Sequence, residues 1–265
     1  ETLKEFFAER RLDHVRKSTI FVLCSQSCRR WPAPDGTGSR FAQGSRLTAR
    51  GLKRYLCGMN SVPLYPDFAP LSLEMAREMS PFLVKLPDGI SEYSFAGFYL
   101  FRERYRYRAT IIDGLLAISG TRRGRSFFVT PCCGTRRKTI DELFRTHDFW
   151  KLISPAFLAQ NSEWMAEAGY QPEPDRDNYD YLYLRSELAT LSGKKFHKKK
   201  NHVNAFELSY PDHSLKPLNL DTRADAMSVL ESWGSRAANP DDTDYLAARE
   251  ALELLDQFEM TGQVL

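Results

Sequence analysis

The stretch "ISEYSFAGFYLFRERYRYRATIIDGLLAISG" (residues 90–120), continued by "TRRGR" (121–125) and "SFFVTPCCG" (126–134), decides the fold. Tyr105, Tyr107, Ala109 and Ile111 alternate with Arg106, Arg108 and Thr110, the period of two that one half-buried face of a strand requires. "DGLLAISG" (113–120) and "SFFVTPCCG" read as two further strands, and Gly124 among the arginines of "TRRGR" suits the tight turn that joins them. Their order predicts an antiparallel sheet. On its N-terminal side, "PLSLEMAREMSPFL" (70–83) sets Leu73, Ala76, Met79, Phe82 and Leu83 at helical spacing, with Ser72 placed to cap. On its C-terminal side, residues 139–169 carry helical periods broken at Pro155 and ended at Gly169.

Beyond a polar link, "EPDRDN" (173–178), a second set of elements follows. "YDYLYL" (179–184) alternates as a strand, Ser186 can cap a short helix that Gly193 interrupts, and a strand is expected around "AFELSYP" (205–211). "NLDTRADAMSVLESW" (219–233) and "DYLAAREALELLDQFEM" (244–260) are helices, the second with Leu246, Arg249, Leu252, Leu255 and Phe258 along one flank. "TGQVL" (261–265) reads as a turn entering a strand.

The 265 residues are 42% hydrophobic and 27% charged, the composition of a globular chain. No run reaches the roughly 18 apolar residues of a membrane helix, and "STIFVLC" (18–24) is too short for a signal core, so the reading is cytoplasmic. Five cysteines, an odd number spread along the chain, argue for thiols rather than a disulfide framework; Cys24 and Cys28 have no second pair at zinc-site spacing, so no metal is expected. Cys132 and Cys133 follow an apolar run and are expected to be buried. Residues 1–58 hold twelve Lys/Arg against five Asp/Glu, a charge of +7 that leaves −4 for the remainder of a chain totalling +3. They read as a basic, loop-rich extension. It is either a genuine arm or sequence upstream of a start at Met59, leaving 59–172 and 173–265 as the two folded units.

The chemistry concentrates in "GKKFHKKKNHVNAF" (193–206), with five lysines, two histidines and no acid. On a helical wheel Phe196, Val203 and Phe206 share a side with Lys195 and Lys199, while His197, Asn201 and Asn204 form an uncharged polar stripe. Lys194 with Lys198 and Lys195 with Lys199 are like-charged neighbours one turn apart, each costing about 0.2–0.5 kcal/mol. Relief comes either from acids elsewhere in the fold, Glu173, Asp175, Asp177 and Asp180 being at hand, or from a bound polyanion such as RNA or anionic lipid. On the second reading Lys194, Lys195, Lys198, Lys199 and Lys200 hold phosphates, and His197, Asn201, His202 and Asn204 face the cleft. Arg122, Arg123 and Arg125 of the "TRRGR" turn, with the basic loop "CCGTRRK" (132–138), are secondary anion candidates. The sequence singles out no catalytic residue, as no G-x-S-x-G, H-E-x-x-H or P-loop pattern occurs.

These segments in this order, above all "YLYLRSELATLSGKKFHKKKNHVNAF", resemble the bacterial proteins grouped with the C-terminal domain of phosphatidylglycerol lysyltransferase, over about residues 63–265. The resemblance implies an α/β (α+β) protein of two tandem GNAT-like units, each a mixed, largely antiparallel sheet flanked by helices. It implies relatives that move an aminoacyl group from charged tRNA to a phospholipid or amine, without a cofactor; aminoacyl-tRNA or acyl-CoA would serve as co-substrate. The partners it implies are tRNA and an anionic phospholipid surface, with the protein cytoplasmic or peripheral to the membrane. The family's second unit continues past "TGQVL" with more strands and a helix, so on this resemblance the second sheet is incomplete, and the expectation is either a GNAT-like aminoacyl-tRNA-dependent acyltransferase or a truncated, inactive relative of one. Two other functions fit the same residues: a non-catalytic module for RNA or anionic membrane, and an acyl-CoA-dependent N-acetyltransferase.

Overall fold

The computed structural model describes residues 61–83, 90–131, 135–180, 183–235, 243–258 and 260–265. The basic extension 1–58 with Cys24, Cys28 and Cys57, the turn at 87–89, and Cys132 and Cys133 lie outside them. The described chain divides into two compact units, residues 61–175 and 176–265.

The first unit is built on one mixed sheet in chain order: β1 (Ala69–Pro70), β2 (Arg108–Ile112), β3 (Leu115–Arg122), β4 (Arg125–Val129) and β5 (Phe149–Trp150). The first four are antiparallel in sequence, and β5 joins β4 in parallel through Phe127 opposite Phe149 and Phe128 opposite Trp150. Two-residue turns close both hairpins. Asp113-Gly114 and Arg123-Gly124 take φ of 50° and 77°, then 51° and 77°, the left-handed pair whose twist matches that of the strands. The "TRRGR" segment is therefore a hairpin turn, with Arg122 opposite Arg125.

Strand β2 starts three residues later than the alternation suggested. Tyr105 ends a short helix, α3 (Arg102–Tyr105), that follows α2 (Phe95–Leu100), and Arg106 turns the chain at φ 50°. Ser94 starts this helical stretch by accepting a hydrogen bond from Gly97 N–H, a local cap that aromatic content does not reveal. Within β2, Thr110 is as buried as its neighbours Ala109 and Ile111, because helices cover both faces. On one face Phe128 packs against Trp150 and Phe144 at ring separations of 5.9 and 5.1 Å. It joins Ile140 and Leu143 of α4 (Arg137–Leu143) and Phe157 and Met165 of α5 (Pro155–Glu167). On the other, Phe127 meets Tyr107 at 6.0 Å and Tyr107 meets Phe98 at 5.3 Å. Gly120 permits that second face: a Cβ there would stand 2.6 Å from the Phe127 ring and 3.0 Å from Tyr107.

Residues 139–169 contain β5 as well as helix. Pro155 opens α5 rather than breaking one, as its missing N–H falls at the first helical position, while Ser154 accepts from Phe157 N–H. Gly169 ends it at φ 76°. The segment 70–83 forms α1 (Ala76–Met79) between 3-10 turns at Leu73–Met75 and Ser80–Phe82; Ser72 has extended dihedrals there but makes no side-chain cap bond.

The second unit is mostly helical: α6 (Arg185–Thr190), α7 (His197–Ser209), α8 (Arg223–Gly234) and α9 (Thr243–Glu253), with a two-residue antiparallel pair of β6 (Lys216–Pro217) and β7 (Gln263–Val264). The turn into a strand read in "TGQVL" is present as β7. The strand expected around 205–211 is not: α7 runs through Ser209, and Ala205, Glu207 and Leu208 are strong helix formers with no β-branched residue among them. Nor do Tyr179, Asp180, Tyr183 and Leu184 join a strand, and Ser186 lies inside α6, whose cap position is Leu184. In α9 the buried side is Ala247, Ala251 and Leu252, continued by Leu255 and Phe258, so Leu246 is half exposed. Helices α8 and α9 approach closely at Gly234, where a Cβ would lie 2.5 Å from the Tyr245 ring.

Candidate functional site

The lysine-rich segment enters through Gly193, at φ 88° and ψ 165°, a conformation that side chains resist. A 3-10 turn, Lys194–Phe196, buries Phe196, and α7 begins at His197 with no side-chain cap and no acid in its first turn. Along α7 no residue is fully buried; Ala205 and Phe206 are half-buried, while His197, Lys198, Lys199, Lys200, Asn201, His202 and Asn204 are exposed. His197, Asn201 and Asn204 thus line a solvent-facing stripe, which Leu208, 84% exposed, continues.

The charge balance is specific. Lys195 Nζ donates to Glu187 Oε1 at 2.6 Å and stands 5.0 Å from the Phe196 ring centre. Lys194, Lys198, Lys199 and Lys200 have no acidic partner among the described residues. Asp175, one of the acids that could have relieved them, instead receives Arg122 at 3.6 Å and Lys151 at 3.7 Å. Three lysines in the first turn also oppose the positive end of the helix dipole, so α7 opens on unneutralised cations. At its other end an open groove of about 520 Å³ is lined by Phe206, Tyr210, His213, Lys216, Asp225 and Val229. Phe206 packs edge-on to His213 at 4.9 Å and lies 5.2 Å from Tyr210.

The arginine turn divides. Arg123 and Arg125 are exposed, with Arg125 5.0 Å from the Phe149 ring, while Arg122 turns to Asp175. That ion pair belongs to a centre the sequence does not announce. Lys151, only 10% exposed, follows β5 and lies 5.3 Å from the Phe127 ring centre. Burial, then the Arg122 charge, pushes its ammonium below the ordinary lysine value, against the pull of Asp175. Burial likewise raises the Tyr107 phenol. Nearby, Tyr93 Oη lies 3.0 Å from Thr130 O and 2.6 Å from Leu152 O, bridging the carbonyls just beyond β4 and β5. A lone lysine in "DFWKLIS" has no motif around it, and the alternation of a two-residue strand is too short to read.

Among the described residues no helix is long and apolar enough to cross a membrane, and no three His, Cys, Asp or Glu side chains gather as a metal site.

A mixed α/β protein with a five-stranded sheet flanked by helices, joined in sequence to a helical unit carrying an unneutralised lysine helix, is the class these features define. Residues 84–265 match the family described as phosphatidylglycerol lysyltransferase, C-terminal, and the chain belongs to that family. No curated protein matches it. Among solved structures, a conserved protein of unknown function from Bacteroides thetaiotaomicron VPI-5482 is similar, with a TM-score of 0.58 and 24% identity over 74% of this chain and 70% of that one. That likeness is one of fold.

Proposed function

We propose that the chain is a GNAT-like acyltransferase related to aminoacyl-tRNA-dependent enzymes, moving an aminoacyl group to a phospholipid or amine acceptor. The observation that carries this reading is the lysine helix: Lys194, Lys198, Lys199 and Lys200 are exposed without acidic partners in a chain of the phosphatidylglycerol lysyltransferase family. These lysines, with Lys195, hold donor phosphates, and His197, Asn201, His202 and Asn204 lie on the same helix as further donors and acceptors. The aromatic groove favours a nucleic acid donor. Phe206 stands seven residues beyond Lys199, roughly 10 Å along the helix, so a single-stranded acceptor end can lay phosphates on lysines and stack a base on Phe206 or Tyr210. Aminoacyl esters are already activated, so such an enzyme needs positioning and oxyanion stabilisation more than a nucleophile. The mixed sheet is the architecture expected of a GNAT-like first unit. Arg123 and Arg125 supply a weaker anion contact.

Mixing the protein with aminoacyl-tRNA carrying a labelled amino acid, with and without phosphatidylglycerol vesicles, tests the reading. Transfer of label, or deacylation above the spontaneous rate, supports it. Salt-sensitive binding without either supports the second reading, a non-catalytic RNA-binding module, which rests on the same exposed lysines. Thermal stabilisation by coenzyme A, with no response to tRNA, would replace both with an acyl-CoA enzyme.

A further inference from the structure

On the first unit, away from the Asp175 centre, an open groove of about 470 Å³ includes Asp67, Phe68, Arg108, Ser119, Thr146 and His147 in its walls. Four elements build it. The extended chain before β1 supplies Asp67 and Phe68, the first residue of β2 supplies Arg108, and Ser119 lies opposite Arg108 in the ladder of β2 and β3. The turn after α4 brings His147, whose ring lies 5.8 Å from that of Phe68 and 5.6 Å from that of Phe128.

The charges in this groove are uncommitted. Arg108 donates one N–H to the Phe68 carbonyl oxygen, leaving further guanidinium donors, and it is exposed with no carboxylate partner among the described residues. Asp67, also exposed, likewise has no cationic partner among them. The two opposite charges line one groove yet form no ion pair with each other. The imidazole is held at one nitrogen. His147 Nδ1 is 3.0 Å from both the Leu143 carbonyl oxygen and Thr146 Oγ1, which engages Nδ1 within its own turn and leaves Nε2 for a ligand. Burial holds that ring toward the neutral form. Separate cationic and anionic groups, with a hydroxyl and an imidazole beside them, complement a ligand that carries both charges.

We propose that this groove binds a small zwitterion, its anionic end on Arg108 and its ammonium on Asp67, with Ser119 and His147 as hydrogen-bonding neighbours. The chemistry is shared by a free amino acid and by a phospholipid headgroup with an amine. The proposal is independent of the lysine helix, which lies in the other unit.

Calorimetric titration of the whole chain with β-alanine and with O-phosphoethanolamine, against methylammonium and acetate as half-ligands, tests it. At least one zwitterion should bind tenfold or more tightly than either half-ligand, and Arg108→Gln and Asp67→Asn should each weaken it at least tenfold. The Gln amide can still donate to the Phe68 carbonyl, and unchanged melting of both variants would separate lost binding from lost folding. In the wild type the bound zwitterion should shift the His147 ring resonances, assigned by their loss in His147→Gln. Preference for phosphoethanolamine assigns a lipid headgroup, and preference for β-alanine an amino acid; either supports the site. Absence of binding, equal binding of half-ligands, or unchanged affinity in both variants would overturn it. Zwitterion binding here without aminoacyl transfer would leave this inference standing while the proposed function fell.

Discussion

Replacing Lys194, Lys198, Lys199 and Lys200 together by glutamine should weaken binding to RNA while making the protein more stable. These are the lysines without acidic partners among the described residues, so each is free to displace a counterion from a phosphate. At about 0.7–0.9 units of salt slope per neutralised phosphate, four lysines account for a difference of about 3 in the slope of log K against log salt. Between 50 and 200 mM salt the wild type should then lose roughly 50- to 150-fold more affinity than the variant. The same substitutions relieve the like-charged contact between Lys194 and Lys198 and remove three cations from the first turn of α7. After allowance for solvent screening that is worth on the order of 1 kcal/mol, or a rise of about 2–4 °C in Tm at low salt. Fluorescence anisotropy with labelled tRNA across a salt series, paired with thermal melting, reads both. Equal salt slopes would refute the phosphate assignment. A fall in Tm would show that the lysines are neutralised within the fold.

Gly120→Ala should destabilise the first unit by about 1–3 kcal/mol, because the new methyl group meets Phe127 at 2.6 Å in a buried layer; a melting curve unchanged from wild type would contradict the packing described. Burial keeps the folded His147 pKa below its unfolded value, so its contribution to stability is complete above about pH 6.5 and is lost as pH falls through the folded value. Asp148, the adjacent charge, opposes the shift. His147→Gln should therefore flatten the decline of denaturant-measured stability between pH 7 and 5, and a decline as steep as wild type would remove His147 as its cause.

The hairpin at Arg123-Gly124 was legible because its signal is local: a turn glycine between strands long enough to show a period. The Asp113-Gly114 turn was not, being absorbed into the strand read over 113–120, whereas β3 starts at Leu115. Strand β5 and the helical run 95–105 were not legible either. A two-residue strand has no period, and "SFAGFYLFRERY" looks like strand by composition but becomes helix through the Ser94 cap. The lysine helix was readable as a charge conflict, since i,i+4 repulsion depends on spacing alone. Which acids would answer it was not, because Asp175 is drawn to Lys151 and Arg122 by the fold of the first unit, while Glu187, eight residues before Lys195, takes that lysine alone. The groove with Arg108, Asp67 and His147 joins residues up to 80 positions apart, with no common motif to connect them.

Lysine acetylation by a water-soluble anhydride, followed residue by residue with mass spectrometry in the presence and absence of aminoacyl-tRNA, tests the central claim most directly. Lys194, Lys198, Lys199 and Lys200 should be labelled in the free protein and protected by the tRNA, with Lys151 poorly labelled in both states. Full labelling of those four lysines in the presence of saturating tRNA would contradict the account.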